Sequence, residues 1–201
     1  MREKNNISKR TKMLKNTISI IGAFFCLCIC FGLLVPEKAS AKKVSSTLKN
    51  GTFTISGKGK MPESAMPKTA QKKKIKKIII KKGVTELPED AFRDCSKATV
   101  ITIAPTVNRI GAMAFYNTGV EKITISDEVK YIRENAFNSL LSSTSQKFSI
   151  RSVVLNNNIE TLPKYAFAGN KEIKVYTNKE IMIQRYTFDN CGEYEIIRLT
   201  H

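Results

Sequence analysis

The chain holds a single histidine, His201 at its end, and no tryptophan. Without an internal histidine, the usual general base, the usual activator of a serine or cysteine nucleophile and the usual zinc ligand are all missing. An enzyme built on this chain would have to work with carboxylates and lysines. Five cysteines in 201 residues are too few for a disulfide scaffold. Acidic residues are also scarce, 17 Asp plus Glu against 34 Lys plus Arg, which gives a formal charge of +17. Such an excess points to a polyanionic partner or an anionic surface. An apolar fraction of 42% is ordinary for a chain that buries a core, so global disorder is not expected.

Arg2, Lys4, Lys9, Arg10, Lys12 and Lys15 lead into an uncharged stretch, residues 17–35, followed by Pro36 and Ala39-Ser40-Ala41. A basic head, an apolar run and small residues at alternate positions make an export signal, residues 1–41, with cleavage expected after Ala41. The alternative is an uncleaved anchor, because 19 uncharged residues at about 1.5 Å each reach across a bilayer. Membrane contact follows only on that alternative. Cys26, Cys28 and Cys30 lie inside this run, none with a small residue before it, so neither a metal site nor a lipid anchor is expected there. On both readings the remainder of the chain is secreted or at the cell surface.

That remainder repeats. Phe92, Phe115, Phe137, Phe167 and Phe188 follow one another at intervals of 23, 22, 30 and 21 residues, and Ala precedes all but the last. Five residues before each stand Leu87, Ile110, Ile132, Leu162 and Ile183; eight before stand Val84, Val107, Val129 and Ile159, with the last copy out of step. Further back come the alternating pairs Ile78 and Ile80, Ile101 and Ile103, Ile123 and Ile125, Val153 and Leu155, and, in the slipped copy, Ile173 and Val175. A β-branched pair at i, i+2 predicts a short strand with one buried face. Apolar spacings of three to four ending in Ala-Phe predict a turn and a single helical or 3-10 turn. One such unit cannot bury its own apolar side, so strand must stack on strand in parallel around a common core. The 30-residue interval predicts a loop around residues 140–145 on the convex side, which closure entropy tolerates. The final segment, EIIRLTH, predicts one last strand through Ile197 and Leu199.

The pattern I-x-I, spacer, V-x-x-I, A-F resembles the BspA-like leucine-rich repeat family of bacterial and protist surface proteins, and Gly51 to Pro62, GTFTISGKGKMP, resembles the segment that commonly precedes its first repeat. The resemblance covers about residues 47–201. It implies a mostly β, right-handed leucine-rich repeat solenoid of short parallel strands, with short helical or 3-10 turns on the convex side, that binds other macromolecules without catalysis. The expected organisation is a cap and linker over residues 42–70, with Leu48, Phe53 and Ile55 covering the open core. An array of about five repeats over residues 71–201 follows. The family's cysteine three places after Phe is matched by Cys95 and Cys191; Thr118, Leu140 and Asn170 hold the other places. Four copies at about 4.8 Å each separate the two by about 19 Å, beyond the roughly 7 Å a disulfide spans. No disulfide is expected.

Residues alternating with the buried pairs point to the other side of the strands, the concave surface that the resemblance makes the contact face for a protein or glycan outside the cell. They are Lys77, Ile79 and Lys81; Val100, Thr102 and Ala104; Lys122, Thr124 and Ser126; and Ser152, Val154 and Asn156. Alternatively, Thr and Val stand there because strands favour them. A second candidate is the lysine cluster Lys72, Lys73, Lys74, Lys76, Lys77, Lys81 and Lys82. It either binds polyanions such as sulfated glycans or anionic wall polymers, or shields Ile78 to Ile80 as a strand near a sheet edge. Nucleic acid ranks last, since no aromatic residues interleave with these lysines. The adjacent carboxylates Glu89-Asp90 and Asp127-Glu128 point apart on an extended chain and cannot act across one bond. No catalytic residue, metal site or cofactor is expected. Residues 42–82 carry 13 basic and 1 acidic residue, net +12, while residues 83–201 carry 14 of each. The polyanion reading therefore belongs to the flank and not to the repeats.

Overall fold

The computed structural model describes residues 42–139 and 150–199, all within one compact unit, Ala41–His201. The expected export signal, the loop around residues 140–145 and His201 lie outside the described residues. The chain enters through an antiparallel hairpin, β1 (Ser45–Lys49) and β2 (Thr52–Ser56), closed by Asn50 and Gly51 with φ of 48° and 74°. Asn-Gly is the two-residue sequence that best accepts a double positive-φ turn. β3 (Gly59–Lys60), a 3-10 turn (Glu63–Ala65) and one helical turn, α1 (Thr69–Lys72), complete the entry segment. Met61 and Ala65 are buried in the core, so part of the expected linker also plugs the core.

From there each rung supplies one strand to an inner sheet and one to a second sheet. The inner strands are β4 (Lys77–Ile80), β6 (Val100–Ile103), β8 (Lys122–Thr124), β10 (Ser152–Val154), β12 (Glu172–Thr177) and β14 (Glu193–Arg198). The others are β5 (Val84–Leu87), β7 (Arg109–Ile110), β9 (Tyr131–Ile132), β11 (Thr161–Leu162) and β13 (Met182–Ile183). Neighbouring rungs pair in parallel and in phase: Ile78 with Ile101, Val153 with Ile123 and Val175, Leu162 with Ile183. Ile78, Ile80, Ile123, Ile125, Val153 and Leu155 point into the core and are buried. Beside them runs a column of rings. Phe92, Phe115, Phe137 and Phe167 stack at 5.4 Å per step, Phe188 continues at 6.0 Å, and Tyr194 ends the column at 4.5 Å. Each aromatic pair adds about 0.5–1.5 kcal/mol beyond its buried area.

The convex turns close the third side. Two places before each Phe the backbone has positive φ, at Asp90, Met113, Asn135, Tyr165 and Tyr186; two places after, the same holds at Asp94, Asn117, Gly169 and Asn190. This alternation points successive N–H groups along the stack. Asp90, Phe92 and Asp94 donate to the carbonyls of Ala112, Ala114 and Tyr116, and the next turns repeat the scheme. Side chains staple the rungs further. Thr106 Oγ1 donates to Val84 O at 2.8 Å, and Asn170 Nδ2 donates to Phe137 O and Phe167 O. The place three after Phe thus has a clear role, because Thr118 Oγ1 and Cys191 Sγ also reach a Phe carbonyl, Phe115 O and Phe167 O.

Two expectations change. β4 is not itself an edge strand, because β2 continues the inner sheet in parallel beside it and β6 flanks it on the other side; the edges of that sheet fall on β1 and β6. The last strand starts earlier than EIIRLTH suggests. β14 pairs with β12 so that Tyr194 and Ile196 take the core side, opposite Ile173 and Val175, while Ile197 stands on the strand face opposite Tyr176. The stacking of Tyr194 on Phe188 fits that register, and the alternation of EIIRL alone does not reveal it.

Candidate functional site

The strand face is set by period two, and its rows follow from the pairing. One row runs Thr52, Lys77, Val100 and then Lys122, Ser152, Lys174, Glu195. The next runs Thr54, Ile79, Thr102 and then Thr124, Val154, Tyr176, Ile197. Lys77, Lys81, Val100, Thr102, Lys122 and Thr124 are exposed, and Ile79, Ser126, Ser152 and Val154 are half-buried. The structure therefore brings most of the expected contact residues onto one surface. It also adds Lys174, Tyr176, Glu172 and Glu195 from the last strands, which the sequence reading left out because the final copy is out of step. Lys174 Nζ lies 3.2 Å from Glu195 Oε2, and that hydrogen bond raises the Lys174 pKa above its ordinary value.

Asn156 does not belong to this surface. It is 5% exposed; its Nδ2 donates to Ser126 O and Val129 O, and its Oδ1 accepts from the N–H groups of Asn158 and Ile159. An amide with so many backbone partners is a structural plug of the turn. Ala104 is likewise buried.

Within this face the ladder is interrupted. β6 pairs with β4 on one side and β8 pairs with β10, but β6 and β8 do not pair with each other. Instead, Arg151 and Ser152 N–H donate to Glu121 O and Ile125 N–H donates to Val154 O. The opening is a groove of about 680 Å³ lined by Thr99 to Ile103 and by Glu121, Lys122, Thr124 and Ser126. Val100 is 46% exposed there, and Ile101 and Ile103, expected in the core, are only half-buried. Ser126 Oγ is enclosed with no hydrogen-bond partner among the described residues. An unpaired enclosed hydroxyl costs about 1–3 kcal/mol.

A matching interruption falls one rung later on the second sheet, between β9 and β11. Gly111 and Arg133 N–H donate to Leu87 O and Ile110 O, whereas the equivalent residue of the next rung is Pro163, which has no N–H. The resulting cleft of about 500 Å³ is lined by Tyr131, Arg133, Glu134, Glu160, Pro163 and Gln184, among others.

The lysine cluster is exposed apart from the half-buried Lys72, and none of its members forms an ion pair among the described residues. Lys72 closes α1, Lys73, Lys74 and Lys76 follow it, and Lys77 and Lys81 stand on the strand face. With strands on both sides of it, β4 is not itself an edge that these charges would shield. Among the described residues no group of three His, Cys, Asp or Glu gathers as a metal site would require. Cys95 and Cys191 are free thiols. Burial pushes the Cys95 thiol from its ordinary 9.0 up to about 12, and burial raises Cys191 as well.

Stacked parallel strands, an inward ring column and a turn ladder of fixed phase define a leucine-rich repeat solenoid. The model of the BspA type leucine rich repeat region matches residues 67–193 in six copies, and the chain belongs to that family. No curated protein matches it. Among solved structures, a leucine-rich repeat protein from Eubacterium ventriosum shares 23% identity with a TM-score of 0.63, covering 79% of this chain and 42% of that one. A leucine-rich repeat protein from Bacteroides ovatus shares 20% identity with a TM-score of 0.46, covering 79% of this chain and 53% of that one. The chain thus spans about half the length of these structures or less, and the first of them supports the fold.

Proposed function

We propose that this is an exported or surface-associated binding module that takes a protein or glycan ligand on its concave strand face. The observation that carries the reading is the groove between β6 and β8. It combines exposed apolar contact at Val100, hydroxyls at Thr102, Thr124 and Ser126, one lysine at Lys122 and unpaired strand edges on both walls. Such a surface offers main-chain pairing together with a few polar anchors, as peptide- and glycan-binding grooves do. Binding asks for no catalytic group, cofactor or metal. The test is capture by the double variant Lys122→Glu with Thr124→Glu, scored against surface material of the producing cell and glycan arrays. Capture should fall at least tenfold, and undiminished capture refutes the assignment.

The lysine flank supports a second reading, retention on anionic wall polymers, because its charges are exposed without ion pairs among the described residues and β4, which they flank, is not itself an edge strand. Replacing Lys72, Lys73, Lys74 and Lys76 with Gln should abolish the salt-sensitive part of wall binding and leave the salt-resistant part to the strand face. If wall binding is entirely salt-resistant, the flank has no such role.

A further inference from the structure

The inner sheet is open at one place inside the array, between β6 and β8, while the same two rungs stay closed behind it. β7 and β9 pair there through Ile110 and Ile132, and Phe115 stacks on Phe137 at 5.4 Å. The opening is therefore a wedge with its mouth on the concave face. Most Cα pairs between β6 and β8 lie more than 8 Å apart, against about 4.8 Å between paired strands. On the far side of each wall the ladder is made: Thr99 N–H donates to Lys76 O, Glu121 O accepts from Arg151 N–H, and Ile125 N–H donates to Val154 O. Alternation then turns the N–H and C=O groups of Val100 and Thr102 on one wall, and of Lys122 and Thr124 on the other, into the wedge. Two facing rows of main-chain groups without strand partners form a template for an added strand.

We propose that this wedge takes an extended acidic peptide segment of another protein, added as a strand between β6 and β8. The proposal rests on the reading of the concave groove as the contact site and names what that site binds. An inserted strand presents alternate side chains to the two faces. Those on the inner side meet Ile101 and Ile103, which are half-buried where their counterparts Ile78, Ile80, Val153 and Leu155 are buried. Small apolar side chains such as valine fit there, because the closed back of the wedge leaves no depth for larger ones. Those on the outer side lie beside Lys122, with Lys77 one strand further on. Lys77, Lys81 and Lys122 are exposed and form no ion pair among the described residues, and the rows from β2 to β10 on this face carry no Asp or Glu. The carboxylate in the lining, Glu121, stands at the start of β8 with the opposite strand parity to Lys122. An acidic side chain on the outer side is therefore opposed by lysine charge. The lining has no aromatic ring for a sugar face to stack on, which favours a peptide over a glycan. Strands of 4 and 3 residues ask for an alternation of acidic and apolar residues about four to six long.

The protein would be titrated with a labelled peptide of alternating valine and glutamate, about six residues long, and followed by fluorescence anisotropy and amide hydrogen exchange. The expected result is saturable binding with slowed exchange at Val100, Thr102, Lys122 and Thr124, the amides that an added strand would pair. The same peptide N-methylated at alternate residues, made in both parities, keeps its side chains and loses one edge of donors; it should bind at least tenfold more weakly, as should a valine–lysine peptide. Thr102→Pro removes a wall N–H that lies outside the β4–β6 ladder and should also weaken binding at least tenfold with an unchanged circular dichroism spectrum. If that variant does not fold, the N-methyl comparison on the parent protein decides. Absence of saturable binding by the valine–glutamate peptide, equal binding by its N-methylated forms, equal binding by the valine–lysine peptide, or unchanged exchange at the four amides overturns the proposal. If Lys122→Glu with Thr124→Glu abolishes capture of surface material while the valine–glutamate peptide does not bind, the groove reading stands and strand addition falls. If capture is undiminished, the groove reading falls and this proposal with it.

Discussion

Asn170 offers a direct measure of how much the side-chain staples contribute. Its amide is fully buried, donates to Phe137 O at 3.2 Å and Phe167 O at 2.6 Å, and accepts from Ile150 N–H at 2.8 Å. Those bonds tie two successive Phe turns to the start of the rung that carries β10. Leucine has similar volume, so Asn170→Leu removes the bonds with little change in packing. Phe167 O keeps the Cys191 thiol at 3.2 Å, but the Ile150 N–H and the Phe137 carbonyl lose these partners. At about 1–3 kcal/mol for each orphaned buried group, the loss is about 3 kcal/mol. With a urea dependence of about 2 kcal/mol per molar for a domain of this size, the unfolding midpoint should drop by about 1.5 M. Asn170→Thr, which restores one carbonyl bond in the manner of Thr118, should lose less, about 2 kcal/mol. If the leucine variant stays within about 0.5 kcal/mol of the parent, the staple account is wrong and the backbone ladders and core packing hold the rungs without it.

Other consequences are as direct. A Cβ on Gly111 would lie 2.5 Å from the Pro88 carbonyl, so Gly111→Ala should cost at least about 2 kcal/mol in urea melts by forcing two backbones apart. Met113 holds a positive φ of 52°; Met113→Asn should stabilise by up to about 1 kcal/mol because asparagine tolerates that region. Cys95, with its pKa pushed up to about 12, should resist a thiol reagent at pH 8 until the protein unfolds, while the half-buried Cys191 reacts first. The raised folded pKa also sets a sign. The contribution of Cys95 is full below pH 9.0 and declines as the pH rises toward 12, because only the unfolded chain releases the proton readily. A Cys95→Ala variant should therefore lose less stability than the parent over that interval.

The phase of the repeat was legible because each copy must turn the same residues inward. The i, i+2 pairs and the Phe column follow from that need, and the structure buries nearly all of them. The first contact rows were legible for the same reason, as the complement of the buried set. Asn156 was misread because alternation continues past the strand on paper, while the backbone has already turned and uses the amide. Asn50-Gly51 is a local hairpin signal, two residues that accept positive φ between two short alternating runs. Pro163 marked the second-sheet opening, since a missing N–H can be read from a residue's name once its place in the rung is known.

The sequence by itself determined the period, the inward side of each rung and the concentration of charge on residues 42–82. These depend on local alternation and composition, which no partner element can alter. Only the tertiary structure decided that β2 removes β4 from the edge, that the inner ladder parts between β6 and β8, and that Tyr194 rather than Ile197 faces the core. Each of those depends on which backbone donors meet which acceptors across rungs, and that choice is made between segments some twenty residues apart, where the single chain carries no local mark of it.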